Sequence, residues 1–272
     1  MSFERLGRVC LVGCGNMGGA MLHRWVEAGL ATRSITVVDP GRPAVPDGVR
    51  LVGSLGEVDG VDTLVLAIKP QQLGATMANG ALDRIAPRLA ISILAGVEAA
   101  TLARVMPAGT VVRAMPNLPV SIGKGVVALF AQGGDRSARE DAAALMRPLG
   151  VVEWIADETL FDAVTALAGC GPGFVFRFAD ALAMAGAALG LDEALARRLA
   201  LATLEGAAAM AIGAAESPAM LADRVASPGG STREGLNVLD HEQALKRLMT
   251  ATLAAAAERN RAMADDARKT VG

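Results

Sequence analysis

Short apolar runs alternate with amphipathic stretches through the first half of the chain. The runs cover residues 9–12, 35–39, 49–52, 63–68, 90–94, 110–115, 125–130 and 151–155. Several, such as Val65-Leu66-Ala67-Ile68, are apolar at consecutive positions, as in strands buried on both faces. Between them, residues 16–28, 70–85, 97–105 and 136–146 read as helices. Alternating strands and helices predict a doubly wound, Rossmann-type α/β domain with a parallel sheet.

Near Asp157 the pattern changes. Ala, Leu and Met dominate from Glu158 onward, and no convincing strand remains. Helix starts are marked instead: Asp192 ahead of a helix to Ala215, Ser217 before Pro218, and Asp240 with Gln243 in a capping-box arrangement. Residues 181–191 and 251–257 carry no charge on any face. A helix apolar all round must be buried, and so small a helical segment has little core of its own. The expectation is an α/β domain over residues 1–156 and an all-helical dimerisation domain over 157–272.

Composition narrows the partners. Net charge is −2 in 272 residues, and Lys and Arg are interspersed with acids, so no nucleic-acid surface is expected. The uncharged run 163–176 is too short for a membrane span and contains Gly and Pro. Arg5 and Arg8 precede an apolar run as in a secretory signal, but three glycines break that run and no small-residue cleavage site follows. A soluble cytoplasmic protein acting on a small molecule is the expectation. Cys10, Cys14 and Cys170 form no disulfide framework, and no His or Cys spacing suits a metal. The chain has no Tyr, which excludes a Tyr-Lys acid pair, and its two histidines, His23 and His241, read as surface or packing residues.

The sharpest chemistry lies in the first turn. Gly13, Gly15 and Gly18 form G-x-G-x-x-G between a strand and a helix, with Asn16 and Met17 between the second and third glycine. Such a turn brings backbone amides and a helix N-terminus against a dinucleotide pyrophosphate. Asp39, at the end of the second strand, stands where a ribose-binding carboxylate is expected. Later strand ends carry Ala67, Lys69 and Pro70, then Ala95 and Gly96, then Met115, Pro116 and Asn117. In the helical half, Leu167–Phe174 reads as one helix breaking and another starting. The segment Ser227-Pro228-Gly229-Gly230-Ser231-Thr232 links two helices, and its amides and hydroxyls suit either a carboxylate nest or a capped turn.

The blocks GCGNMGGA, AIKPQ, SILAGV, VRAMPNLP, GCGPGFVF and DRVASPGGSTREGL, in this order over nearly the whole chain, resemble the pyrroline-5-carboxylate reductase family. The last block is the most specific. The resemblance implies NAD(P)H-dependent reduction of a cyclic imine in the final step of proline biosynthesis, by a homodimer that in some members assembles into larger rings. It implies a cofactor turn at Gly13, Gly15, Asn16, Met17 and Gly18, and loops around nicotinamide and substrate at Lys69-Pro70, Ala95-Gly96 and Met115-Pro116-Asn117. It further implies a substrate-carboxylate loop at Gly229, Gly230, Ser231 and Thr232, supplied by the partner subunit, with the Thr232 hydroxyl facing the substrate nitrogen. Family members usually have Ser at Cys170, Ala at Gly173 and Thr at Leu118, and many have Asn where Leu55 aligns. Asp39 favours a free ribose hydroxyl and Arg42 a 2′-phosphate, so NADH and NADPH both stay open. A reductase of another cyclic imine, or a nicotinamide-sensing module without catalysis, are the alternatives.

Overall fold

A computed structural model describes residues 3–77, 85–106 and 108–271. Its first part follows the order β1 (Val9–Val12), α1 (Asn16–Glu27), β2 (Ile35–Val38), β3 (Arg50–Val52), β4 (Thr63–Leu66), α2 (Leu73–Met77), β5 (Leu89–Ser92), α3 (Ala99–Val105), β6 (Thr110–Pro116), β7 (Gly125–Phe130), α4 (Arg136–Met146) and β8 (Gly150–Trp154). All eight expected strands form, within a few residues of the expected ends. Of the helix expected over 70–85, the start is a 3-10 turn at Pro70–Gln72 running into α2, and positions 78–84 lie outside the described residues.

The eight strands make one sheet in the order β3-β2-β1-β4-β5-β6-β7-β8. The pairs are parallel except one: β7 runs antiparallel to β6, with Met115 opposite Ala128. This departs from the all-parallel expectation for a simple reason. Residues 117–124 are too few for a crossover, so the chain must turn back on itself. The core lies on both faces of the sheet. In β1, Val9 and Leu11 join a cluster with Trp25 and Leu145, whereas Cys10 and Val12 join one with Leu73 and Leu102. That alternation is the two-residue period of a strand expressed as two hydrophobic layers.

Beyond β8 the described residues form no strand. The chain continues through α5 (Phe161–Val164), a π-helical turn at Thr165–Gly169, α6 (Gly171–Ala188), α7 (Glu193–Gly213), α8 (Pro218–Arg224), α9 (Ser231–Asp240) and α10 (Ala244–Val271). The expected interruption at 167–174 is present: α5 gives way to a π-helical turn, the chain bends at Cys170, and α6 starts at Gly171 with Pro172 in its first turn. The Cys170 amide donates to the Thr165 carbonyl at 2.8 Å, one residue further back than in an α-helix. Pro172 has no N–H for the Ala168 carbonyl, and the Asn117 side chain donates to it instead at 2.9 Å. So the proline stands in the first turn of α6, just beyond the π turn.

Contacts divide the chain into Met1–Cys170 with Ala256–Gly272, and Gly171–Ala255. Within the second unit, α6 ends at Gly190, whose φ of 101° reverses the chain. The Asp192 carboxylate then accepts the Leu195 amide at 3.0 Å to start α7, and Ser217 caps α8 in the same way through Met220. Asp240 precedes only the 3-10 turn His241–Gln243 and makes no capping box there. It is the last residue of α9, its side chain caps nothing, and the chain turns through Glu242 and Gln243 at φ 46° and 58° before α10. At a helix C-terminus a carboxylate faces carbonyls, not amides.

Candidate functional site

The chain leaves β1 toward β2 and β3 on one side and returns to β4 on the other. Ligand clefts open at such a switch point, beyond the carboxyl ends of the strands. Here a cleft of about 500 Å³ is lined by Gly13, Gly15, Asp39, Ser54, Ala67 and Lys69, among others. Each glycine of the turn has a distinct reason. Gly13 has φ +90°, and a Cβ there would sit 2.6 Å from the Ala67 carbonyl oxygen. A Cβ on Gly18 would collide with the Gly13 carbonyl oxygen, whereas one on Gly15 would meet nothing within 4 Å. Gly13 and Gly18 therefore serve the fold, and Gly15 opens on the cleft. Gly15 is also the N-cap of α1, and no side chain caps the first turn. The amides of that turn, over Asn16 and Met17, remain open to an anion, and the residues present fit a dinucleotide pyrophosphate.

Asp39 is built into this turn. Its Oδ2 accepts the Cys14 amide at 2.8 Å and its Oδ1 accepts the Gly41 amide at 2.8 Å. Next to it, Glu57 Oε1 accepts the Gly53 amide, the Ser54 amide and the Ser54 hydroxyl at 3.0–3.1 Å. The sequence reading missed Glu57, although Ser54-x-x-Glu57 is a visible capping box. Leu55 is buried in the core beneath this turn. Opposite, Lys69 precedes the 3-10 turn that Pro70 begins, and its amide is held by the Gln72 side chain at 3.0 Å. Thiol chemistry has no place in the turn. Burial pushes the Cys10 thiol up to about 12, and burial first, then the Asp39 charge, raises Cys14.

Ala95 and Gly96 follow β5, Met115 is near the end of β6 and Asn117 follows it, all at the same edge of the sheet, but they do not line this cleft. Gly96 has φ +74°, and a Cβ there would lie 3.1 Å from the Ala264 backbone in α10. Met115 packs on the π turn, its Cε 3.1 Å from where a Cβ on Gly169 would be. Asn117 is tied into the fold. It is 7 % exposed, its Nδ2 donates to the Ala168 carbonyl and its Oδ1 accepts the Val126 amide. Its side chain fastens the β6–β7 turn to the π turn. Arg113 also went unforeseen, though an Arg inside an apolar strand was its signal. Its Nη1 donates to Glu158 Oε1 at 2.9 Å, the same oxygen accepts the Ala99 amide at 2.8 Å, and the guanidinium lies 4.3 Å from the Phe161 ring centre.

In the second unit, Ser227–Thr232 links α8 to α9. Gly229 has φ +71° with open space around it, and the Gly230 amide closes a turn onto the Ser227 carbonyl at 2.9 Å. Gly230 is the N-cap of α9 and no side chain caps that helix. Ser231 and Thr232 are exposed beside the open amides, an arrangement able to receive a carboxylate. Unit 2 itself buries very little: Ala179, Ala196, Ala200 and Ala226 are its buried apolar residues among those described. Phe176 and Ile212 are 57 % and 88 % exposed. Glu158–Ala188 is long and apolar enough to span a membrane by length and composition alone, which the uncharged run 163–176 did not predict.

Residues 158–263 match the family model for pyrroline-5-carboxylate reductase dimerisation, and residues 8–96 match that for NADP oxidoreductase, coenzyme F420-dependent. Pyrroline-5-carboxylate reductase of Pseudomonas aeruginosa is 34 % identical, covering 95 % of this chain and 97 % of that protein. That of Methanosarcina acetivorans is 32 % identical over 91 % and 95 %. Among solved structures, the reductase of Coxiella burnetii superposes with a TM-score of 0.85 at 29 % identity, covering 94 % of this chain and 98 % of that one. The Plasmodium falciparum pyrroline carboxylate reductase, solved with NADP bound, gives 0.81 at 26 % over 96 % and 99 %.

Proposed function

The chain belongs to the pyrroline-5-carboxylate reductase family, and we propose that it catalyses the NAD(P)H-dependent reduction of 1-pyrroline-5-carboxylate to L-proline, the last step of proline biosynthesis. The observation that carries this reading is the pairing of two anion-ready helix starts on one chain: the glycine turn at Gly15 and the uncapped loop at Gly230. One suits a dinucleotide pyrophosphate, the other a small carboxylate.

When bound, the reduced nicotinamide supplies a hydride to the imine carbon. Gly13, Gly15, Asn16, Met17 and Gly18 hold the pyrophosphate, Asp39 the adenosine ribose, and Ala67, Lys69 and Pro70 the opposite wall of the cleft. Ala95-Gly96 and Met115 border the nicotinamide and substrate, with Asn117 positioning the Met115 loop. Gly229, Gly230 and Ser231 bind the substrate carboxylate, and Thr232 orients the ring nitrogen. The imine arrives protonated at that nitrogen, which makes its carbon electrophilic. No strong side-chain base is then required, and alignment of two reactants supplies much of the rate. That suits a chain with no Tyr and only two His.

In this reading residues 1–156 hold the cofactor, and 157–272 dimerise and bring the substrate loop from the partner subunit. The exposed apolar faces of α6 and α7 are covered in a cytoplasmic homodimer, which can stack into a ring of dimers. The test is direct. Purified protein oxidises reduced nicotinamide only when pyrroline-5-carboxylate is added, forms proline in equal amount, and keeps its rate in EDTA. Failure to turn over this imine while six-membered cyclic imines react would redirect the assignment.

A further inference from the structure

The adenosine end of the cleft lies between the ends of β2 and β3. Donors here include the amides of Cys14, Gly41, Gly53 and Ser54 and the Ser54 hydroxyl. Each is already engaged by a carboxylate of the chain itself: Cys14 and Gly41 by Asp39, and Gly53 and Ser54 by Glu57. Two fixed carboxylates thus stand where a 2′-phosphate would need donors and positive charge. Among the described residues lining this end of the cleft none is a cation, although Arg42 and Arg50 adjoin it. Lys69 is the cation among the described residues lining the cleft, and it stands beyond β4, two strands away from β2. Arg42 does not line the cleft, and its amide is tied to the Asp39 carbonyl at 3.1 Å. The Arg50 guanidinium donates to the Glu57 carbonyl at 2.7 Å.

The acceptor character of this wall separates the two cofactors by charge. A ribose 2′-hydroxyl is a donor and can bond to Asp39 Oδ1 or Oδ2, since each carboxylate oxygen has a second lone pair. A 2′-phosphate offers only acceptors and close to two negative charges, and like charges at short range repel. It would also have to compete with Asp39 and Glu57 for amides that they hold at 2.8–3.1 Å.

We propose that this end of the cleft is built for a free 2′-hydroxyl, so that the chain takes NADH in preference to NADPH, unlike the Plasmodium falciparum neighbour solved with NADP. The proposal rests on reading the cleft as the dinucleotide site. Asp39 is its main determinant, because its carboxylate faces the cleft and ties the β2 end to the glycine turn. Glu57 reinforces it by occupying the donors of the next turn.

Calorimetry on the intact protein with ADP-ribose and 2′-phospho-ADP-ribose tests this without turnover. The expected result is at least tenfold tighter binding of ADP-ribose, about 1.4 kcal/mol. Asp39→Asn keeps an acceptor for the Cys14 amide while removing the charge, and should shrink that ratio about tenfold or more, with kcat/KM for the two cofactors moving in parallel. Glu57→Gln should shift it in the same direction by less. Equal or tighter binding of the phosphorylated fragment by the wild-type protein overturns the proposal and leaves the dinucleotide reading intact. A ratio unchanged in Asp39→Asn, with melting temperature preserved, also overturns it. Binding of neither fragment would overturn both readings.

Discussion

The two units of this chain solve the burial problem in opposite ways. The first sandwiches an eight-stranded sheet between helices and fully buries Trp25, Phe161, Leu11 and Ile91. The second, Gly171–Ala255, buries four alanines among its described residues and leaves Phe176, Leu199 and Ile212 in water. Large apolar side chains on the surface of a lone chain are the mark of a face that another surface covers. The first unit is folded by its own core, and in the proposed reading the second is completed by association. The proposed division of labour matches this: the cofactor cleft in the first unit and the substrate loop, offered across an interface, in the second.

The strongest way to break that contrast is complementation. Gly15→Trp fills the open cleft floor and Gly230→Trp blocks the α9 loop, and each should abolish activity alone. Co-expressed, random pairing makes about half the dimers mixed, each with one intact site of two, so about a quarter of normal activity returns. A dead mixture with mixed dimers verified by tagged pull-down would mean that each site lies within one chain.

Core truncation sharpens the same contrast. Leu11→Ala should cost about 2–5 kcal/mol at every protein concentration. Phe176→Ala with Leu199→Ala should instead lower the melting temperature most in dilute solution and raise the dissociation constant seen by sedimentation. If that surface is free, the pair changes little at any concentration.

A smaller effect is expected at Thr232. Thr232→Val removes one hydrogen bond and keeps the shape, so kcat/KM should fall by about 5- to 150-fold, or ~1–3 kcal/mol, with the dimer intact. An unchanged kcat/KM would remove this hydroxyl from the reaction. Smaller again is Asp192→Ala, which loses the cap to Leu195 and about 1 kcal/mol from the helical unit, read by urea unfolding.

The smallest is a pH effect in the first unit. The Arg8 amide donates to Asp62 at 2.7 Å and holds its carboxyl below the usual carboxylate range. A lowered folded value gives stability that is present above the unfolded value near ~3.9 and fades as pH falls through the folded one. Asp62→Asn should thus lower the urea midpoint near neutral pH and leave it unchanged in strong acid. A difference that persists in acid would point to lost packing instead.

How much of this could be read from residue order divides along physical lines. Strand positions, the glycine turn, Asp39 at a strand end and the caps at Asp192 and Ser217 depend on local periodicity and on short-range hydrogen bonds, so eight strands and the main cleft were legible. What residues far apart in the chain do to one another was not. The antiparallel β7 follows from a short connection meeting a sheet edge. The π turn survives Pro172 because Asn117 supplies the missing donor across the fold. That same bond ties the Asn117 side chain into the fold, which its loop position did not reveal. Arg113 is held by Glu158 and Phe161 from a later element, and the amides taken by Asp39 and Glu57 turn an undecided cofactor end into a wall of acceptors. Sequence determines which groups a segment carries. Tertiary structure decides which are already spent on one another, because a donor engaged inside the protein is no longer available to a ligand.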